Sequence, residues 1–137
     1  MDLNMPASKY DFNIEQGSSF KIIFTYKDSQ GTPIDITDWC ARLTWTTNKN
    51  VTQTFVSTNT DDALYKFSID GSNGKITFMI PSSVTNGYDF DDAKYDFELQ
   101  SDEDHYTQGG KYTIRLLYGN ITILERHSKY SSALECS

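Results

Sequence analysis

The sequence predicts an all-β protein folded as a sandwich of about seven or eight short strands. Segments in which apolar and polar residues alternate recur along the 137-residue chain, and turn-forming residues separate them. Aromatic residues make up 14% of the chain, which favours strands over helices. One apolar face per strand indicates antiparallel sheets, and packing two such sheets face to face buries these faces. A closed barrel is the alternative architecture.

The first half of the chain contains three predicted strands. The first places four aromatic or aliphatic side chains on one face: Phe20, Ile22, Phe24 and Tyr26. A turn with Gly31 and Pro33 follows it. The second strand alternates its apolar residues with polar ones: Trp39, Ala41, Leu43 and Trp45. Residues 51–56 predict a third, shorter strand.

The second half contains the remaining strands and one helical turn. Two strands, joined by a turn at residues 70–74, carry the next alternating apolar residues: Tyr65, Phe67, Ile69, Ile76, Phe78 and Ile80. Residues 82–87 predict one helical turn that is capped by Ser82 or Ser83. The strand after it alternates three apolar residues: Tyr95, Phe97 and Leu99.

The last predicted strand, residues 111–125, changes phase near Gly119. Its apolar residues are even-numbered before the glycine and odd-numbered after it: Tyr112, Ile114, Leu116, Ile121 and Ile123. A bulge at Gly119 would bend one continuous strand and return the later residues to the core. Alternatively, Gly119 and Asn120 form a type II′ turn between two strands. The periodicity fits both arrangements.

The length suits one domain, which we place at residues 10–128. The polar ends are predicted to be a flexible N-terminal arm, residues 1–9, and a C-terminal tail, residues 129–137. The net charge of −7 gives no basic surface for a phosphate backbone, so no nucleic-acid partner is expected. No apolar run approaches the roughly 18 residues of a membrane-spanning helix, and the N-terminus has no apolar signal segment.

The two cysteines, Cys40 and Cys136, are interpreted as unpaired thiols of a protein made in a reducing cytoplasm. A disulfide that fixes the tail is the alternative. A zinc site would need more Cys or His residues close by.

An acidic cluster is the strongest charge feature of the sequence: Asp89, Asp91, Asp92, Asp96, Asp102, Glu103 and Asp104. A Ca²⁺ site needs several oxygen ligands that converge on one point. These residues flank one predicted strand, which would separate the two groups by roughly 20 Å. The pattern therefore favours solvated loops over a metal site. It also selects no carboxylate pair for glycoside hydrolysis.

The sequence predicts no catalytic, cofactor-binding or metal-ligating residues. His105 and His127 lie outside any catalytic motif, and no phosphate loop, nucleophile elbow or zinc-binding helix motif is found. The glycosylation sequons at Asn50 and Asn120 are interpreted as chance matches. The chain is therefore not expected to be an enzyme.

Trp39 and Trp45 lie on one face of a single predicted strand, together with Ala41 and Leu43. This favours a place in the core for both indoles. The functional alternative is a carbohydrate-binding platform, to which a loop residue such as Tyr106 would contribute.

A set of short motifs occurs in a fixed order along residues 12–126. They are Ile14-Glu15-Gln16-Gly17, residues 31–41, residues 74–78, Thr85, residues 95–99 and residues 115–123. Their order and spacing resemble a family of small virion proteins of tailed bacteriophages, including T4-like cyanophages. A similar module forms the N-terminal domain of some upper baseplate proteins.

Three segments depart from the pattern of that family. The chain continues "ERHS" after the last strand, where the family often has "T-R". The loop "SDEDHYTQGG" is longer than usual, and residues 47–65 have no counterpart in the shared pattern. Such variable stretches are where a docking surface particular to one virion would differ.

The resemblance implies an immunoglobulin-like antiparallel sandwich in which the Gly119 segment is one bulged strand. It implies a non-catalytic structural component of a virion, in the tail, baseplate or neck, assembled in the host cytoplasm and oligomeric within the particle. Its partners would be other virion proteins, which dock on the polar arms and the exposed edge strands. A capsid decoration or head–tail joining protein is the close alternative. A carbohydrate-binding module and an enzyme that uses the acidic loops are alternatives of other classes.

Overall fold

The structure is a computed structural model that describes residues 7–58, 64–104 and 111–127. These residues form nine strands and little helix, in two sheets that pack face to face. The predicted all-β sandwich is confirmed. Nine strands replace the expected seven or eight, because the N-terminal segment adds two short ones.

The elements in chain order are β1 (Ser8–Lys9), β2 (Phe12–Glu15), β3 (Phe20–Thr25), β4 (Cys40–Thr47), β5 (Thr52–Val56), β6 (Lys66–Asp70), β7 (Lys75–Ile80), helix α1 (Ser82–Thr85), β8 (Asp92–Asp104) and β9 (Lys111–Leu124). A single 3₁₀ turn, Gly71–Asn73, joins β6 to β7. The larger sheet has the order β1-β9-β8-β4-β5, with β2 also paired to β9, and the smaller sheet has the order β3-β7-β6.

The pairs that β1 and β2 make with β9 are parallel, whereas the other pairs between described strands are antiparallel. The expected sandwich was antiparallel throughout. The difference arises because the N-terminal segment runs along the outer edge of β9 in the same direction as that strand.

The inward faces of the two sheets form the core. The predicted alternation is confirmed in β4, where Ala41, Leu43 and Trp45 are buried, and in β7, where Ile76 and Phe78 are buried. Aromatic rings bridge the sheets. The ring centroids of Phe24 and Phe97 lie 4.7 Å apart, and those of Phe55 and Phe78 lie 5.3 Å apart. Such contacts add to the stabilisation from area burial.

The phase change in β9 comes from a bulge at Leu116 and not at Gly119. β9 is one continuous strand, so the two-residue turn is excluded. On β8, Phe97 pairs with Leu117 while Glu98 pairs with Arg115, which leaves Leu116 as the extra residue. Leu116 and Leu117 both pack against the core, and the glycine itself stays in register. The predicted bulge is confirmed, but its predicted position was wrong.

The predicted serine cap of the helical turn was also wrong. The residue before α1 is Pro81, whose φ of −69° and ψ of 154° give it the extended backbone of an N-cap. No side-chain hydrogen bond caps this helix end. Ser82 and Ser83 are instead the first residues of the helix itself, because β7 continues directly into the turn through the proline.

The N-terminal arm was expected to extend through Lys9, whereas Ser8 and Lys9 pair with Leu117 and Tyr118 of β9. Residues 1–6 and the predicted tail, residues 129–137, lie outside the described residues. Among the described residues, no helix is long and apolar enough to cross a membrane.

Candidate interaction surfaces

The N-terminal segment crosses the edge of β9 at Gly119. The backbone N–H of Tyr10 donates to the Tyr118 carbonyl at 2.8 Å, and the N–H of Asn120 donates to Asp11 Oδ1 at 2.8 Å. Between these two bonds the Tyr10 carbonyl oxygen lies directly against Gly119, where a Cβ would clash with it. The glycine is therefore required for a close approach of two backbones.

Tyr95 of β8 contacts the N-terminal segment at the point where it crosses Gly119. The residue is 3% exposed, and its hydroxyl donates to the Tyr10 carbonyl at 2.5 Å. Burial, followed by the negative charge of Asp11, raises the pKa of Tyr95 well above its ordinary value. Tyr95 belongs to the motif at residues 95–99, and it acts here as an anchor for the N-terminal segment.

A hydrogen-bonded seam joins the end of β2, the α1 turn and the end of β9. It consists of Gln16, Gly17, Thr85, Asn86, Tyr88 and Arg126. Gln16 Nε2 donates to the Tyr88 carbonyl at 2.9 Å, and Gln16 Oε1 accepts from the Arg126 backbone N–H at 2.9 Å. The guanidinium of Arg126 donates to Asn86 Oδ1 at 2.6 Å.

Thr85 is the fully buried member of the seam. Its hydroxyl accepts from the Gly17 N–H at 3.1 Å and donates to the Ser18 carbonyl at 2.8 Å. Gly17 has a φ of +85°, and an added Cβ would lie 3.0 Å from the Arg126 guanidinium. The motif residues Gln16, Gly17 and Thr85 therefore meet in space and hold the end of the sandwich together.

Two other motif residues, Asp35 and Gly74, stabilise turns. Asp35 Oδ1 accepts from the backbone N–H and the hydroxyl of Thr37, and these bonds lower the pKa of Asp35. Gly74 has a φ of +63°, and an added Cβ would lie 2.7 Å from the Ile34 carbonyl oxygen. The sequence predicted the turn at residues 70–74, which is confirmed, but it gave no role to Asp35.

The acidic cluster is spread along β8 and the segment before it. Asp89 pairs with Lys49 at 3.6 Å, and Asp96 pairs with Arg115 at 3.2 Å. Asp102 is exposed near the far end of β8, while the side chains of Glu103 and Asp104 lie outside the described set. Within the described ranges, no three His, Cys, Asp or Glu side chains are grouped to hold a metal ion.

The other residues considered in the sequence analysis do not form a common site among the described residues. His127 is exposed beyond β9, Asn50 and Asn120 are exposed, and Cys40 is a half-buried free thiol. Three others, His105, Tyr106 and Cys136, lie outside the described residues.

Trp45 is completely buried, and its indole N–H donates to Gln53 Oε1 at 2.9 Å. The core interpretation is confirmed for Trp45, which is therefore not available as a carbohydrate platform. Trp39 packs against the core with part of its ring exposed, next to Tyr26.

β3, β5 and β6 each pair on one side only within the described sheets. The Tyr26 N–H donates to the Gly74 carbonyl at 2.8 Å, so even-numbered residues of β3 direct their backbone groups toward β7. The backbone groups of Lys21, Ile23 and Thr25 therefore point to the open edge. An open edge of this kind accepts an added strand.

An apolar groove of about 610 Å³ lies between this edge of β3 and the neighbouring part of β9. Its apolar lining comes from both sheets: Tyr10, Ile22, Phe24, Ile114, Leu116 and Leu117. A strand added to β3 could place alternate side chains in this groove.

A scan against protein-family models and a search of curated proteins each found no match to this chain. The resemblance to virion proteins, which rests on the order and spacing of the motifs, stays a prediction. The assignment of a function therefore depends on the role of those motif residues in the fold.

Proposed function

We propose that this chain is a structural, non-catalytic component of a tailed-bacteriophage virion, located in the tail, baseplate or neck. One observation carries the proposal: motif residues that lie far apart in sequence meet in the seam. The Gly17 N–H and the Thr85 hydroxyl are 68 residues apart along the chain and 3.1 Å apart in space. These contacts hold the end of the sandwich together, which supports a structural role for the motif residues.

The proposed mechanism is docking. The open edge of β3 and the apolar groove beside it offer backbone hydrogen bonds and side-chain pockets to an extended segment of another virion protein. The polar ends outside the sandwich, residues 1–6 and 129–137, are proposed to take part in the same assembly. We also propose that the sandwich is immunoglobulin-like, with the N-terminal strands β1 and β2 at one edge of the larger sheet.

The experiment that tests the proposal uses purified phage particles. The particles are disrupted, heads are separated from tails, and the chain is quantified in each fraction by mass spectrometry. We expect enrichment with tails, at a copy number that fits the symmetry of a ring. Enrichment with heads would move the assignment to a decoration or head–tail joining protein. Levels in both fractions no higher than those of contaminating host proteins would contradict it.

A further inference from the structure

The outward face of the smaller sheet is basic, although the chain as a whole is acidic. Nine side chains point outward from β3, β7 and β6 in three cross-strand rows: Lys21, Met79 and Lys66; Ile23, Thr77 and Ser68; Thr25, Lys75 and Asp70. Three lysines and one aspartate give this face a charge of +2. Because the net charge of the chain is −7, the other residues together carry −9. We call it the lysine face.

Two large apolar side chains lie on the lysine face, Met79 between Lys21 and Lys66 and Ile23 next to Thr77. Ile23 is 50% exposed and Met79 is 38% exposed. Ile23 pairs with Thr77, two residues before Met79, so the two side chains are diagonal neighbours. Exposed apolar side chains that neighbour charged ones are typical of a protein–protein contact.

The lysines of this face have no ion pair within the described part of the chain. The ion pairs found there use other cations, namely Arg42, Lys49 and Arg115. Lys21, Lys66 and Lys75 are therefore available to carboxylates of a partner.

The same chain carries a complementary surface. Asp89, Asp91 and Asp92 are exposed just before and at the start of β8. Near them, Val51 and Leu64 are 54% and 52% exposed. Together with Asp89 and its ion-pair partner Lys49, these two apolar residues line an open groove of about 410 Å³. Three aspartates against one lysine leave the surface a charge of −2. We call this surface the acidic end.

We propose that the lysine face of one molecule binds the acidic end of a second copy of this chain. Lys21, Lys66 and Lys75 would face the three aspartates, and Ile23 and Met79 would cover Val51 and Leu64. A phosphate polymer would satisfy the lysines but would leave Ile23 and Met79 uncovered. Because the two surfaces are different, the contact repeats from copy to copy and builds a ring or a filament.

The contact is small. Three strands of up to six residues give a face of roughly 15 by 20 Å, well below the ~800 Å² per partner of a stable complex. Two copies in solution therefore associate weakly, and closure of a ring adds strength because several contacts then act together.

The test measures the mass of the purified full-length chain by sedimentation velocity over a concentration series. It is performed at about 0.05 M and about 1 M salt, because salt screens exposed charges. The face variant carries Lys21→Glu, Lys66→Glu and Lys75→Glu. The control variant carries Lys9→Glu, Lys94→Glu and Lys111→Glu, which change the net charge equally at exposed lysines of the larger sheet. We expect concentration-dependent assembly at low salt for the wild type and the control variant, and a monomer for the face variant.

A charge exchange tests the two surfaces together. An end variant carries Asp89→Lys, Asp91→Lys and Asp92→Lys. We expect the face variant and the end variant each to remain monomeric alone and to associate when mixed in equal amounts. Circular dichroism melts show whether each variant is folded.

Three results would overturn the inference. They are a wild-type monomer at every concentration and salt, undiminished assembly of the face variant, and a mixture of variants that stays monomeric. Lysine-dependent sedimentation of a monomeric wild type with phosphatidylserine vesicles would assign the face to a membrane instead. None of these results depends on where the chain resides in a particle, so the inference and the proposed function can fail separately.

Discussion

The carbonyl oxygen of Tyr10 lies where a Cβ atom on residue 119 would have to be. The N-terminal segment changes from β1 to β2 at this point while both strands stay on the same edge of β9. The backbones can approach so closely because residue 119 is glycine. Gly119 thus fixes the position of the N-terminal strand and needs no catalytic explanation.

We expect Gly119→Ala to destabilise the protein by about 1–3 kcal/mol, because the added methyl group must displace a backbone carbonyl and not a flexible side chain. The measurement is the urea midpoint of unfolding. Gly87→Ala is the matched control, since its Cβ would meet only the Val84 carbonyl, at 3.6 Å. Equal midpoints for the two variants would contradict the role given to Gly119.

Thr85→Val should destabilise the protein by about 1–3 kcal/mol, because it removes the hydroxyl partner of Gly17 and Ser18 while keeping the side-chain shape. Chemical denaturation of purified variants gives the difference. Thr122→Val, at an exposed position of β9, should change stability by less than about 0.5 kcal/mol. An equal decrease in the free energy of unfolding for Thr122→Val and Thr85→Val would contradict a stabilising role of the seam.

Stability should fall at alkaline pH because of two phenols, the half-buried Tyr88 and the buried Tyr95. Burial raises the pKa of Tyr88 and of Tyr95 above the ordinary value of 10.0. Above about pH 10, the unfolded chain loses the protons of these two phenols while the folded chain keeps them. The contribution of these phenols to the free energy of unfolding is therefore constant below about pH 10, and it decreases as the pH rises above that value.

The measurement is the urea midpoint between about pH 8 and pH 11.5. In Tyr88→Phe the decline should be shallower, because one of the two phenols is gone. Tyr118→Phe, which removes a phenol at an exposed position, is the matched control. An identical slope in Tyr88→Phe and the wild type would contradict the assignment.

Chelation should leave the melting temperature unchanged. Asp89 and Asp96 already have cationic partners in Lys49 and Arg115, and the acidic residues are spread along β8. Thermal melts with EDTA and with added Ca²⁺ test this, because a ligand bound only to the folded state raises its stability. A calcium-dependent rise would show that the acidic residues bind the ion.

The strands and their buried faces could be predicted from the sequence because each strand has one apolar side. Trp45 and Phe97 are examples, since alternation placed both on inward faces and both are fully buried. Alternation cannot reveal which strands pair. The parallel pairing of β2 with β9 joins residues more than 100 positions apart in the chain, such as Phe12 and Ile121.

The bulge and the seam could not be located from the sequence for a different reason. Both Leu116 and Leu117 are apolar, so either one could continue the alternating pattern, and the glycine was the more obvious irregularity. Gln16 and Thr85 are common polar residues with no local signal of a shared partner. Only the packing of the sandwich end brings them together with Gly17 and Arg126.

The central claim is that this chain acts by docking within a particle, and lysine labelling of fractionated phage tails tests it most directly. Intact tails and the isolated protein are acetylated under the same conditions, and each lysine is quantified by mass spectrometry. We predict that the chain is present in tails and that Lys21, Lys66 and Lys75 are protected there, whereas Lys94 serves as an exposed reference. If the chain is present in tails but its three lysines are acetylated as in the isolated protein, the lysine face is not a docking surface. If the chain is absent from both tails and heads, the proposed function is contradicted.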